Sequence, residues 1–341
     1  MSDDFPAPHQ RERIVGRSEL EAKLRASLSE GVLSNGWLIT GPSGAGKATL
    51  AFRLARAILD PAALEDDSSL QVSAEARVFR LISGEAHPDL FVAKRQYDEK
   101  KDRYETEITV ETVRKLSSFL SKTASGGGWR VAIVDAADEL NRNAANALLK
   151  SLEEPPPRTA LLLVSSAPGR LIATIRSRCR RIDLRPLPDE EIIGLLMEEG
   201  GEKRAEAERI ARAAHGRPGY ALTLAVGEGA EAIAAVDAFF EAAAGSGDAG
   251  AVAAALSGKT AAERWEIFKE HLLERISEAA RGSARGEPFG MFSDASPSAL
   301  IEAYEQLAAL LRRGDAVNLD RRDLVFALQR ALRAHLRPRA A

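Results

Sequence analysis

The chain has 341 residues, 45% hydrophobic and 28% charged, which excludes a wholly disordered chain and gives enough length for two or three domains. Its formal net charge of −3 excludes a protein that holds nucleic acid through a large positive excess, leaving only local basic patches or contacts shared with partners. The single cysteine, Cys179, excludes an internal disulfide and a multi-thiolate zinc site, and no window approaches the roughly 18 apolar residues of a membrane span.

Residues 1–12 are polar and proline-containing, carry Asp3 and Asp4, and read as a loose arm unlike a secretory signal, so a cytoplasmic location with no membrane partner is expected. From Ser18 the residues Leu20, Leu24 and Leu28 recur at helical spacing, with Ser18 as the expected N-cap. Trp37-Leu38-Ile39-Thr40 predicts a buried strand, Gly41 to Lys47 a glycine-rich loop, and Ala48 to Leu59 a helix. Residues 60–80 are mixed and polar, and His87 to Val92 leads into another strand. Lys94 to Glu107 reads as a solvated loop or hairpin and Thr109 to Leu120 as a helix. Trp129 to Val134 and Ala160 to Ser165 are strands on either side of a helix from Asn141 to Leu152. Short apolar strands alternating with helices predict a mainly parallel sheet covered on both faces, hence an α/β first domain.

Past Pro186 and Pro188 the pattern becomes helical. Small helices are expected at Asp189 to Met197, Ala205 to Ala214 and Tyr220 to Leu224, then alanine-rich ones over Glu231–Ala243, Ala251–Leu256, Thr260–Ala280, Ser298–Arg313 and Asp320–Ala334. The division expected is an arm over 1–12, an α/β domain over 13–185, a helical lid over 186–230 and an all-helical domain over 231–341.

The segment Gly41-Pro42-Ser43-Gly44-Ala45-Gly46-Lys47 has the spacing of a Walker A loop. Gly41, Gly44 and Gly46 let backbone N–H groups turn toward phosphate oxygens at a helix N-terminus, and Lys47 brings a point charge to the outer phosphates. ATP or ADP is the ligand such a loop takes. The hydroxyl that should follow the lysine to hold Mg²⁺ is missing: Ala48 stands there, and Thr49 is about 100° further round the helix. Val131 to Asp135 would deliver Asp135 beside the loop, but Ala136 follows where a water-orienting glutamate is needed. Asp138 or Glu139 is the alternative source of that carboxylate. Both departures predict nucleotide binding without efficient Mg²⁺-dependent turnover.

The run from Asp135 through Asn141, Asn143, Asn146, Lys150, Leu152, Glu153 and Glu154 to Pro155-Pro156, followed by Leu161 to Val164 and by Ile175-Arg176-Ser177-Arg178-Cys179, resembles clamp-loader subunits of the AAA+ class. Gly84 to Leu90, Gly216 to Leu222 and the weakened nucleotide site are similar to the branch of that family whose role does not require its own hydrolysis. The resemblance spans roughly residues 14–225. It implies an AAA+ P-loop domain, a helical lid and a helical collar through which five subunits form an open ring. It implies a delta subunit and tau or gamma subunits as partners, with a sliding clamp and primed DNA handled by the complex. It further implies that Arg178 is an arginine finger reaching a neighbour's γ-phosphate, whereas Arg180 suits a basic surface or a phosphate contact. Relatives carry four cysteines forming a zinc module after the phosphate-loop helix; residues 60–90 here contain none, so no zinc is expected and His87 reads as structural. The lid arginine that senses γ-phosphate in active relatives corresponds to Gly219, with Arg217 as the competing alignment. Asn141, Asn143 and Asn146 are candidates for DNA approach, or Asn146 for a hydrogen bond inside its helix. An autonomous P-loop ATPase or helicase loader of replication or repair is the alternative function, and a structural nucleic-acid-binding module a third.

Overall fold

A computed structural model describes residues 5–30, 34–64, 68–98, 103–105, 107–125, 127–258, 261–286, 292, 295–317 and 319–336. The chain divides into two compact units, residues 3–222 and 223–341.

The first unit contains, in chain order, α1 (Ser18–Ser29), β1 (Gly36–Thr40), α2 (Lys47–Leu59), α3 (Arg77–Ser83), β2 (Leu90–Ala93), β3 (Tyr97–Asp98), β4 (Arg103–Tyr104), α4 (Val110–Leu120), β5 (Arg130–Asp135), α5 (Arg142–Glu153), β6 (Thr159–Ser165), α6 (Ala173–Arg176) and β7 (Arg180–Asp183). Three helices follow: α7 (Asp189–Glu199), α8 (Arg204–Ala214) and α9 (Pro218–Ala225), with the division between units falling inside α9.

Five strands form one sheet in the order β2-β5-β6-β1-β7, every neighbouring pair parallel. The central strands β1, β5 and β6 are covered on both faces and are therefore mostly apolar, whereas edge strand β7 is Arg180-Arg181-Ile182-Asp183 with only Ile182 buried. In β6, Ala160, Leu162 and Val164 join a core containing Leu50, Leu54 and Ile58 of α2, while Leu161 and Leu163 join a second core with Val113 and Leu116 of α4 and Leu148 of α5. Neither face of β6 meets water, so neither needs polar residues. The charged run after β2 forms an antiparallel hairpin, β3 with β4.

Asn141 begins α5 as its N-cap, its side-chain oxygen accepting from the Ala144 N–H at 2.9 Å. Such a cap contributes about 1 kcal/mol and gives Asn141 a structural task. Asn143 and Asn146 are exposed on α5.

Three expectations need correction. Ser18 is the first helical residue of α1 and not its cap; Arg17 holds the cap position, with no side-chain capping bond. The polar stretch 60–80 contains the start of α3, whose Val78, Phe79 and Ile82 are buried. Residues 5–12, read as a loose arm, are strapped down: the buried Arg56 guanidinium donates to the carbonyls of His9 and Arg11 and lies 4.1 Å from the Phe79 ring centre. Buried donors find partners, and here the partners are backbone carbonyls of an arm whose composition alone looks unstructured.

The second unit is all-helical among the described residues beyond α9: α10 (Gly229–Ala244), α11 (Ala249–Ala255), α12 (Ala262–Ala284), α13 (Pro297–Val317) and α14 (Arg321–Leu336). Its core is built on Phe239, Phe240, Phe268 and Phe292, with edge-to-face pairs at 5.7 Å (Phe239–Phe268) and 5.2 Å (Phe240–Phe292). No helix among the described residues is long and apolar enough to cross a membrane.

Candidate functional site

The phosphate loop lies between the C-terminal end of β1 and the N-terminus of α2, the crevice position at which parallel sheets bind ligands. Gly44 (φ 77°) and Gly46 (φ 89°) adopt left-handed backbone that glycine alone enters freely. A Cβ on Gly41 would stand 2.5 Å from the Leu184 carbonyl oxygen.

Lys47 is buried, and its Nζ donates to the Pro42 carbonyl at 2.7 Å. Burial lowers its pKa, opposed by the charges of Asp135 and Asp138. Burial raises the Asp135 carboxyl, opposed first by Lys47. The structure therefore brings Lys47 and Asp135 into one electrostatic cluster beside the loop. Thr49 is buried in α2, while Ala48 is only half-buried, so the hydroxyl and the position that needs it are on different sides of the helix.

Both alternative carboxylates have partners. Asp138 accepts from the Ser166 N–H at 3.1 Å, and Glu139 pairs with Arg95 at 3.0 Å. Among the described residues no group of three or more His, Cys, Asp or Glu is arranged to hold a metal ion. His87 Nδ1 accepts from the Asp89 N–H at 3.2 Å, and burial lowers its pKa.

The start of α9 rests on the loop, the Gly219 N–H donating to the Gly44 carbonyl at 2.8 Å. Arg217 is buried, its Nε donating to the Ala214 carbonyl at 2.9 Å and its guanidinium 4.2 Å from the Tyr220 ring centre. Those bonds hold it within the helical part of the unit.

Arg178 sits in the turn between α6 and β7. Its Nη2 pairs with Glu153 at 2.8 Å, and its Nη1 donates to the Thr174 carbonyl at 3.1 Å. With 36% of its side chain exposed it stays accessible from outside the chain. Arg180 instead lies 5.0 Å from the Trp37 ring centre, and Arg181 donates to Thr40 Oγ1 at 3.2 Å. Burial pushes the Cys179 thiol up to about 11, which removes it as a nucleophile at neutral pH.

Sequence reasoning missed two residues. Ser165, level with Thr40 in the β1–β6 register, has a buried hydroxyl with no hydrogen-bond partner among the described residues. Its place at the end of a central parallel strand beside a phosphate loop was the available signal. Glu153 was read only as part of a motif, because its contact with Arg178 spans a strand and a helical turn.

Against known proteins, the family described as "DNA polymerase III, delta subunit" matches residues 16–188, just over half of the chain and the whole of the P-loop sheet. The chain belongs to that family. Its curated relatives include the delta-prime subunit of DNA polymerase III from Pseudomonas aeruginosa, 40% identical over 146 residues, which are 43% of this chain and 42% of the relative. The delta-prime subunit from Escherichia coli is 32% identical over 206 residues, 60% of this chain and 59% of the relative. The tau subunit from Bacillus subtilis is 28% identical over 222 residues, 64% of this chain and 37% of the relative. The chain thus spans about half the length of the curated delta-prime relatives it matches. The fold is a five-stranded parallel sheet with a phosphate loop and flanking helices, followed by helical regions, the architecture that the resemblance implied.

Proposed function

We propose that this chain acts as the delta-prime subunit of a clamp loader, organising the ring and donating Arg178 to the ATP site of a neighbouring subunit. The partners are a delta subunit and tau or gamma subunits in a pentamer, and the complex loads a sliding clamp onto primed DNA in the cytoplasm. Residues 186–230 serve as the lid and 231–341 as the collar. Gly41, Gly44, Gly46, Lys47, Thr49 and Asp135 form a pocket that takes ATP or ADP without productive Mg²⁺ geometry and without zinc.

The observation that carries this reading is the contrast between two sites on one chain. The phosphate loop lacks the magnesium hydroxyl at Ala48 and the water-orienting carboxylate at Ala136, and its lid meets it through glycine. Arg178 meanwhile is exposed and held by two bonds, in a motif for which the clamp-loader resemblance implies action in trans. A cation offered outward from a chain with poor internal chemistry suits a partner's triphosphate better than its own.

The test is reconstitution with delta, tau or gamma, and the clamp. With Arg178→Ala, single-turnover hydrolysis at the adjoining site should fall by roughly 10³-fold, the lower end for a finger supplied in trans. Total turnover should lose no more than that site's share, and the ring should still assemble by gel filtration. Unchanged hydrolysis at every site would reject the finger. Rapid ATP hydrolysis by the purified chain alone would favour the autonomous ATPase.

A further inference from the structure

We infer that Glu153 is the positioning residue for Arg178, a step that rests on Arg178 being the finger. A guanidinium has five N–H donors in one plane, and two contacts at its two ends fix where that plane points. Glu153 Oε1 takes Nη2 at 2.8 Å and the Thr174 carbonyl takes Nη1 at 3.1 Å. The remaining donors are left for an incoming phosphate.

The location of Glu153 supports this. It is the last residue of α5, followed by Glu154 at the C-cap, and only Lys150 is basic in that turn. A helix C-terminus carries partial negative charge, so two carboxylates there oppose the macrodipole. A local rule broken with one basic residue against two carboxylates is the kind of departure expected at a functional or strained position. The compensation comes from a guanidinium 25 residues on in sequence, across β6 and α6.

The pair is also badly placed to serve stability. Its side chains are 36% and 46% exposed, where solvent screens an ion pair to little net value. Its effect grows when a neighbouring subunit covers it and excludes water, which is also when a finger must be aimed. Glu153 touches no reacting atom; it acts through Arg178.

The complete ring, reconstituted with Glu153→Ala, Glu153→Gln, Arg178→Ala and the Glu153→Ala/Arg178→Ala pair, tests this by single-turnover hydrolysis, ATP affinity and melting temperature. Glu153→Ala should slow hydrolysis at the adjoining site by about tenfold with ATP affinity and melting temperature unchanged, the scale of one charge-assisted hydrogen bond lost. Glu153→Gln keeps an acceptor oxygen and should lose less; being isosteric, it carries the test if the alanine variant disturbs assembly. The double variant should match Arg178→Ala alone, since Glu153 has nothing to aim once the arginine is gone. Additive losses would overturn the proposal, as would faster hydrolysis in Glu153→Ala, which would make Glu153 a competitor for the arginine. A loss in Arg178→Ala with none in either Glu153 variant rejects the positioning role and leaves the finger standing. No loss in any variant rejects both.

Discussion

Gly219 and Gly44 meet backbone to backbone, the N–H of one donating to the carbonyl of the other at 2.8 Å, so the first turn of α9 lies directly on the phosphate loop. A Cβ on Gly44 would come within 2.7 Å of the Tyr220 nitrogen, and a Cβ on Gly219 within 3.1 Å of the Gly44 oxygen. At Gly44 contact this close is available only to a residue without a side chain.

Gly44→Ala should therefore be the more damaging of the two substitutions. It combines a left-handed backbone (φ 77°) with a clash against main chain that cannot rotate away. A loss of about 2–3 kcal/mol is expected, read as a lower urea midpoint with an unchanged m-value. Gly219→Ala, with ordinary backbone and a milder contact, should cost less than about 1 kcal/mol. Equal or reversed effects would mean that the loop and α9 separate readily in solution.

Metal handling can be tested by restoring what the pocket lacks. Ala48 and Ala136 are both half-buried, so each has some room for a larger side chain. With Ala48→Thr and Ala136→Glu together, affinity for a fluorescent ATP analogue should become magnesium-dependent, tightening by about tenfold on adding the ion. The parent chain should show almost none of that dependence. A strong magnesium effect in the parent would place a metal ligand elsewhere, with Asp135 the first residue to substitute.

The sheet and its helices were legible because their signals are local. Continuous apolar runs in β1, β5 and β6 and the 3.6-residue spacing in α2, α4 and α5 follow from each element's own geometry. The phosphate loop was legible for the same reason, Gly41, Gly44, Gly46 and Lys47 all falling within one short stretch of chain. What stayed hidden depends on partners distant in sequence. Arg56 gave no sign that it would hold the arm at His9 and Arg11, and Glu153 none that it would meet Arg178. The spacing of Leu20, Leu24 and Leu28 said nothing of Glu21, which is buried against Arg53 of α2.

That pair yields a stability prediction. Glu21 Oε1 receives both Arg53 Nε at 2.7 Å and Nη2 at 2.6 Å, with both side chains almost completely buried. Glu21→Ala strands a guanidinium away from water and should cost about 3–5 kcal/mol. Glu21→Leu with Arg53→Met removes both charges and keeps most of the volume, so it should recover the greater part of that loss. Denaturant midpoints of the single and double variants decide it. A double variant no better than Glu21→Ala would show that packing, and not the orphaned charge, sets the cost.

Cys179 gives the pH prediction, and as the only thiol it can be followed without interference. Its folded value of about 11 lies above the ordinary 9.0 because burial disfavours the thiolate. Well below pH 9 both folded and unfolded chains hold the proton, and this group does not alter stability with pH. Between pH 9 and about 11 the unfolded chain releases the proton while the folded chain retains it, so the contribution to stability falls as pH rises. The difference in urea midpoint between the parent and Cys179→Ala should be flat up to about pH 8 and then move against the parent. Thiol labelling at pH 8 should run about two orders of magnitude slower than for a free cysteine, in proportion to the thiolate present. Rapid labelling of the folded chain at that pH would show instead that the turn carrying Arg178 opens to solvent, and the same measurement in the assembled ring would report whether a neighbour closes it.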